Sequence, residues 1–236
     1  MTITDQVLGP LLHADPASPR ITHYDDAAGS RVELSGTTLA NWAAKTANWF
    51  RDELDIQPGD PVAVLLPPHW QTAGVLLGAW WCGATVVTSA AGAAVALCGV
   101  AQISEVTESE ELVAVGLDAL GRGITGLPPR VRDFATEVRV HGDTFQPGAT
   151  GPDTEKVLAA ARAQAIALGL AAEDRLLCTT SWDTEIAGGI LLAVLTAGAS
   201  LVQCTSTALA ALPHRCVAER VTVTLGAEVP PLRRAG

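Results

Sequence analysis

Residues 60–87 read DPVAVLLPPHWQTAGVLLGAWWCGATVV, and residues 174–202 read DRLLCTTSWDTEIAGGILLAVLTAGASLV. Each stretch opens on an aspartate, Asp60 or Asp174, and runs through a short apolar segment. Each then breaks at polar or proline residues, climbs through Leu-Leu and ends on Gly-Ala with a β-branched tail. A continuous apolar run of strand length, bounded by turn residues, predicts a strand covered on both faces. The longer run after the break predicts a helix, which Gly83 ends in the first copy.

Working outward, residues 37–54 predict an amphipathic helix. Leu39, Trp42, Trp49 and Phe50 share one broad face, with Asn41, Lys45, Asn48 and Asp52 largely opposite. Thr37 or Thr38 is placed to cap its N-terminus. A turn follows at residues 57–60, then a strand at 62–66, a helix at 69–82 and a strand at 84–88. The second copy repeats the order: helix at 154–168, turn at 169–174, strand at 176–179, helix at 185–197, strand at 200–204. Pseudo-repeats therefore cover residues 37–104 and 153–204, joined by a linker segment at 105–152. Within that segment the sequence predicts a strand around 112–117, a loop at 121–129 and a short element at 133–141. Residues 220–225 alternate like a strand, and residues 230–236 are expected to fray.

Two helix–strand–helix–strand units imply right-handed βαβ crossovers. The expected class is α/β, a largely parallel sheet covered by helices, within one domain spanning residues 1–236. Each unit alone has an open sheet edge and a bare helix face, so packing two together is a natural solution.

Composition narrows the functions. With 236 residues, 48% of them apolar and 17% charged, the chain can bury a core and is not a disordered polymer. A formal charge of −10 argues against nucleic-acid binding and against docking on anionic lipid. Lysine occurs only at Lys45 and Lys156. The five cysteines, Cys82, Cys98, Cys178, Cys204 and Cys216, show no CxxC spacing and lie in mostly apolar surroundings, which predicts buried free thiols. The N-terminus lacks a basic segment followed by a long apolar one, so no secretory signal is expected. Both features fit a reducing cytoplasm. Residues 61–104 hold no Asp, Glu, Lys or Arg, enough length to cross a bilayer. The break at Thr88-Ser89-Ala90-Ala91-Gly92 and the absence of flanking basic residues favour a buried helix followed by a buried strand.

The pattern in residues 54–87, a helix, then LDIQPGDPVAVLLP, then a helix ending in GATVV, resembles the N-terminal region of the AMP-dependent synthetase and ligase superfamily. That superfamily includes acyl-CoA synthetases, luciferases and peptide-synthetase adenylation domains. ITHYDD at residues 21–26 stands where the family has its first strand pair. Residues 168–202 resemble the segment after its phosphate loop. The resemblance covers most of this chain but only the first half or less of a full-length member, and fits short stand-alone relatives. It implies a fold whose full members join a carboxylate to ATP, usually with Mg²⁺, giving an acyl-adenylate and pyrophosphate.

The family's phosphate loop is typically Ser/Thr-Ser-Gly-Thr-Thr-Gly-x-Pro-Lys-Gly, in which small residues let amides and hydroxyls wrap phosphates while lysine offsets charge. The corresponding place here is Pro147-Gly148-Ala149-Thr150-Gly151-Pro152-Asp153. Gly148, Thr150 and Gly151 are the candidate phosphate contacts that remain. Pro147 and Ala149 replace hydroxyl residues, and Asp153 falls near the lysine's place. A carboxylate facing a triphosphate repels it. The later Tyr-Gly-x-Thr-Glu and Thr-Gly-Asp motifs of full members do not occur, and the only tyrosine is Tyr24.

No catalytic residue is therefore assigned. His69, at a strand-to-helix junction, and Ser181 with Trp182, at the equivalent junction of the second copy, are candidates for lining a substrate pocket. Each is equally a capping or packing residue. Histidines 13, 23, 69, 141 and 214 lack metal-binding spacing, no GxSxG occurs, and Glu108–Glu111 is expected to be a solvated face. Most of the six tryptophans should be core. The expected function is a non-catalytic ligand-binding or protein-interaction module needing no cofactor, with a homodimer or partner protein covering leftover apolar surface. The alternative is a nucleotide- or acyl-binding protein with residual adenylation activity, using ATP or AMP with Mg²⁺ and completed by a partner chain.

Overall fold

A computed structural model of the chain describes residues 1–236. In chain order the elements are α1 (Ile3–Ala14), β1 (Pro19–Asp25), β2 (Ser30–Ser35), α2 (Gly36–Glu53), β3 (Pro61–Leu65), α3 (Trp70–Trp81), β4 (Thr85–Val87), β5 (Val95–Gly99) and β6 (Glu111–Val115). There follow β7 (Val131–Asp133), α4 (Phe134–Val138), α5 (Thr154–Ala167), β8 (Arg175–Cys178), α6 (Gly189–Thr196), β9 (Ser200–Thr205), α7 (Leu212–Ala218), β10 (Val223–Leu225) and β11 (Arg233–Arg234). The chain divides into two compact units, one of residues 1–6 and 40–156, the other of residues 7–39 and 157–236.

The first unit is built on a five-stranded sheet of order β4-β3-β5-β6-β7, in which every pair is parallel. Its register sets two faces, the second mixing small residues with Leu65 and Leu112. Val62, Val64, Val95, Leu97, Val113 and Val115 share one face, and Ala63, Ala96, Cys98 and Ala114 share the other. All ten are buried. The linker segment 105–152 contributes β6, near the strand expected around 112–117, α4, within the short element expected at 133–141, and also β7. α4 packs Phe134 edge-on to Trp49 of α2, with ring centres 5.8 Å apart, and Glu137 accepts the Trp49 indole N–H at 3.0 Å.

The second unit carries a six-stranded sheet of order β11-β10-β8-β9-β1-β2. Only the β1–β2 pair is antiparallel. A charged cluster ties this sheet to the end of α7. Glu219 accepts from the Tyr24 hydroxyl at 2.5 Å, from Arg31 Nε at 2.7 Å and from Arg175 at 2.7 Å. Burial alone would raise the Glu219 carboxyl, but hydrogen bonds from Arg31, Tyr24 and Arg175 outweigh it and hold it down at about 2.

The repeat is reproduced at the level of single hydrogen bonds. In the first copy the Gln57 amide donates to the Asp60 carboxylate at 2.8 Å, and the Thr85 amide donates to the Asp60 carbonyl at 2.9 Å. In the second, Ala171 and Ser200 do the same to Asp174, at 2.9 and 3.0 Å. Each central helix also ends alike. Gly83 (φ +84°) and Gly198 (φ +83°) take the left-handed conformation. The following amides, Ala84 and Ala199, reach back to Ala79 and Val194, both at 3.0 Å, as in a Schellman motif.

Several local expectations are corrected. The N-terminal cap of α2 is Ser35, whose hydroxyl accepts the Thr38 amide at 3.2 Å; the Thr37 hydroxyl instead donates to the Pro16 carbonyl at 3.1 Å. Asn48 is buried rather than on an exposed face, because its amide donates to the carbonyls of Gly142 and Thr144 at 3.1 and 2.9 Å. α6 starts at Gly189, later than residue 185, because Thr184 and Ile186 close a tight turn and Gly188 is left-handed (φ +62°). Residues 220–222 are not strand. Arg220 (φ +53°) ends α7, and its neighbour Val221 donates back to Cys216 at 2.9 Å. The C-terminal residues are anchored, with β11 paired to β10 and Arg233 bound to Asp174 at 2.8 Å.

The charge-free stretch at 61–104 forms β3, α3, β4 and β5, and no helix is long and apolar enough to cross a membrane. All five cysteines are free and buried. Trp49, Trp70, Trp80 and Trp182 are core, while Trp42 and Trp81 are half-buried.

Candidate functional site

The segment leading to Pro147 is held from α2. Lys45 Nζ donates to the His141 carbonyl at 2.6 Å and pairs with Asp143 at 2.9 Å, beside the two Asn48 bonds. Phe145 is then clamped between the Arg51 guanidinium, 5.0 Å from its ring centre, and Trp81 at 5.8 Å. These contacts deliver residues 147–153 to one place: the turns that precede β3 and β4.

There the backbones of two turns interlock. Gly59 donates its amide to the Gly83 carbonyl at 2.9 Å. A Cβ on Gly83 would stand 3.0 Å from the Ala149 carbonyl oxygen, 3.1 Å from Pro58 Cβ and 3.2 Å from the Gly151 amide nitrogen. A Cβ on Gly151 would fall inside the contact shell of the Gly83 carbonyl. Pro152 lies over Gly59, and Asp153 accepts from the Thr85 hydroxyl at 3.1 Å. Thr154 donates both its amide, at 3.3 Å, and its hydroxyl, at 2.8 Å, to the Gly151 carbonyl. Beside this contact, burial pushes the Cys82 thiol up to about 12, so no thiolate stands next to the turn at neutral pH.

Of the three candidate phosphate contacts, Gly148 and Thr150 are exposed, and Gly148 has open space where a Cβ would stand. Gly151 faces protein. The turn lies at the amino ends of β3 and β4, whereas ligands of open parallel sheets bind beyond the carboxyl ends. Asp153 immediately precedes the first residue of α5, where a helix favours negative charge. A protein carboxylate already occupies that position, and an incoming phosphate would meet like charge. Lys156 is exposed within the first turn of α5.

The pocket candidates fall in separate units. His69, at the carboxyl end of β3, is the N-cap of α3: its Nδ1 accepts the Gln71 amide at 3.1 Å, and the residue is 5% exposed. In the second unit Trp182 is buried, and its indole N–H donates to Gln203 at 2.7 Å. Gln203 donates in turn to the Thr180 and Cys204 carbonyls at 3.4 and 3.3 Å. Ser181 is exposed, and its hydroxyl accepts the Asp183 amide at 3.3 Å. His69 thus caps and Trp182 packs, and Ser181 alone of the three faces solvent. No three His, Cys, Asp or Glu side chains converge as a metal site. Sequence reasoning did not find the Gly83–Gly151 contact. Its signal was present in the Gly-Ala that closes the first repeat and in the second glycine of the loop.

Comparison with solved structures defines the class. A Brucella canis acyl-CoA synthetase superimposes with a TM-score of 0.77 at 17% identity, over 96% of this chain and 47% of that one. An anthranilate CoA ligase in complex with anthranoyl-AMP gives 0.74 at 14% identity, over 96% of this chain and 49% of that one. The chain therefore has the N-terminal fold of the adenylate-forming enzymes and spans about half the length of these structures. No family model matches the sequence. A Mycobacterium tuberculosis protein described as "TIGR03089 family protein" is 47% identical over 239 aligned positions, covering 95% of this chain and 98% of that protein. The chain belongs to the TIGR03089 family.

Proposed function

We propose that this protein uses the adenylate-forming fold as a non-catalytic binding module, for a ligand or for another protein, and makes no acyl-adenylate. The observation that supports the reading is the Gly151–Gly83 contact. The turn that would wrap phosphates packs its own backbone against a neighbouring turn, with the Asp153 carboxylate beside it. Catalysis of adenylation needs groups that stabilise charge building on the α-phosphate, and a fold without them supplies none. No cofactor is required in this reading. The work is done in a reducing cytoplasm, consistent with five buried free thiols, and through a homodimer or partner protein.

Calorimetric titration with ATP·Mg²⁺, AMP and an acyl-CoA tests it. Absence of submillimolar nucleotide binding is expected. One observation favours a second reading, a nucleotide- or acyl-binding protein completed by a partner chain: Gly148 and Thr150 remain exposed to solvent. Submillimolar binding of ATP, weakened by Thr150→Ala, would establish that second reading instead.

A further inference from the structure

The face of the five-stranded sheet that carries Ala63 and Ala96 has a feature at its other end. The β4–β5 connection passes over β3 in residues 88–94 alone, too few for the helix that usually makes a parallel crossover. The cluster on that face, Ala63, Ala93 and Ala96 with Leu65, Val87, Ala90, Val106 and Leu112, contains strand and loop residues and none from a helix. Beside this cluster a cleft of about 490 Å³ opens beyond the carboxyl ends of β3, β4 and β5. The chain leaves β3 toward β4 on one side and leaves β5 toward β6 on the other. The cleft therefore lies at a topological switch point, where parallel α/β sheets hold small ligands, and its volume is in the range of such sites.

The lining sets the chemistry. Leu65, Ala90 and Val106 supply the apolar part, and Thr88, Ser89 and Thr107 supply hydroxyls. The only charged side chains are Glu105 and Glu108. Both are exposed, and neither has a hydrogen-bond or ion-pair partner within the protein. Glu105 also acts on the Cys98 thiol under the same face: burial raises that thiol, and the Glu105 charge raises it further. Two unpaired carboxylates with no cation beside an apolar surface repel phosphates and carboxylates, and complement a cation on a short aliphatic body. The overall charge of −10 steers the same sign of ligand.

We propose that this cleft binds a small alkylammonium ion, its charge between Glu105 and Glu108 and its chain on Leu65, Ala90 and Val106. The site lies at the opposite end of the strands from the Gly148–Gly151 turn, so it stands whether or not that turn takes a nucleotide. The test is an amide NMR titration of the intact chain with n-butylammonium, with butyrate and n-butanol as probes of matched size. Saturable shifts at residues 88–91 and 105–108 with n-butylammonium alone are expected. The double variant Glu105→Gln, Glu108→Gln should weaken binding about fivefold or more, as befits solvent-exposed charges. Its unchanged amide spectrum elsewhere would show that the fold is intact. No saturable shift, equal response to n-butanol, or undiminished binding by the double variant would overturn the assignment.

Discussion

Gly151 lies so close to Gly83 that the carbonyl of one fills the space a side chain on the other would need. This is a backbone-on-backbone contact between the loop before α5 and the turn before β4, and it leads to an asymmetric outcome. Gly151→Ala must displace the Gly83 carbonyl, and Gly83→Ala must also hold φ +84° with a Cβ. Each should lower stability by about 1–3 kcal/mol. Gly148→Ala, in the same loop but in open space, should cost about 0.5 kcal/mol or less. Urea unfolding midpoints of the three variants check this, and equal effects at positions 148 and 151 would remove the contact from the account.

The two repeat aspartates make the same turn but not the same set of bonds. Asp60 accepts the Gln57 amide, whereas Asp174 also accepts the Thr222 hydroxyl at 2.7 Å and pairs with Arg233. Asp60→Ala should cost about 1 kcal/mol and Asp174→Ala about 2–3 kcal/mol. Hydrogen exchange should show the second variant loosening residues 233–235 as well.

Acid should destabilise the fold in two windows. His23 is 1% exposed, and burial pulls its imidazole down to about 4 from 6.5, against a smaller opposing effect of Asp25. A depressed histidine leaves the unfolded chain binding the extra proton, so its stability is present above pH 6.5 and is lost as pH falls toward 4. The slope should approach about 1.4 kcal/mol per pH unit and should flatten in His23→Gln. Glu219, held at about 2 against an ordinary 4.5, adds stability above pH 4.5 that disappears as pH falls toward 2. Thermal melts across pH 7 to 2 measure both, and a flat profile between pH 6.5 and 4 would contradict the His23 assignment.

Burial raises all five thiols, and in Cys178 and Cys204 it outweighs hydrogen bonds that act the other way. The native protein should therefore resist maleimide at pH 7, with five thiols reacting after unfolding. Rapid labelling of a single thiol in the native state would expose a local opening that the packing does not explain.

The repeat was legible because its signals are local. An aspartate turn, an apolar run of strand length and a glycine at a helix end each act within a few residues. The hydrogen bonds to Asp60 and Asp174 show that the chemistry repeats along with the letters. Two of the misread segments were decided by partners distant in sequence. Asn48 looked like a surface residue because the carbonyls it serves lie at Gly142 and Thr144. The tail at 230–236 looked frayed because Asp174 and β10, which hold it, come from elsewhere in the chain. At the candidate site, the resemblance to the family's phosphate loop exposed the missing hydroxyls and the Asp153 near the lysine's place. That the loop would turn against Gly83, at the amino ends of the strands, depended on tethering by Lys45, Asn48 and Phe145. No spacing rule encodes that.

The most direct test of the central claim is ATP–pyrophosphate exchange by the full chain with Mg²⁺ across a panel of aliphatic and aromatic carboxylic acids. The expected result is exchange at the level of buffer for every acid, unchanged in Thr150→Ala and in Asp153→Lys. Sustained, acid-dependent exchange by the unaltered protein that Thr150→Ala abolishes would contradict the account.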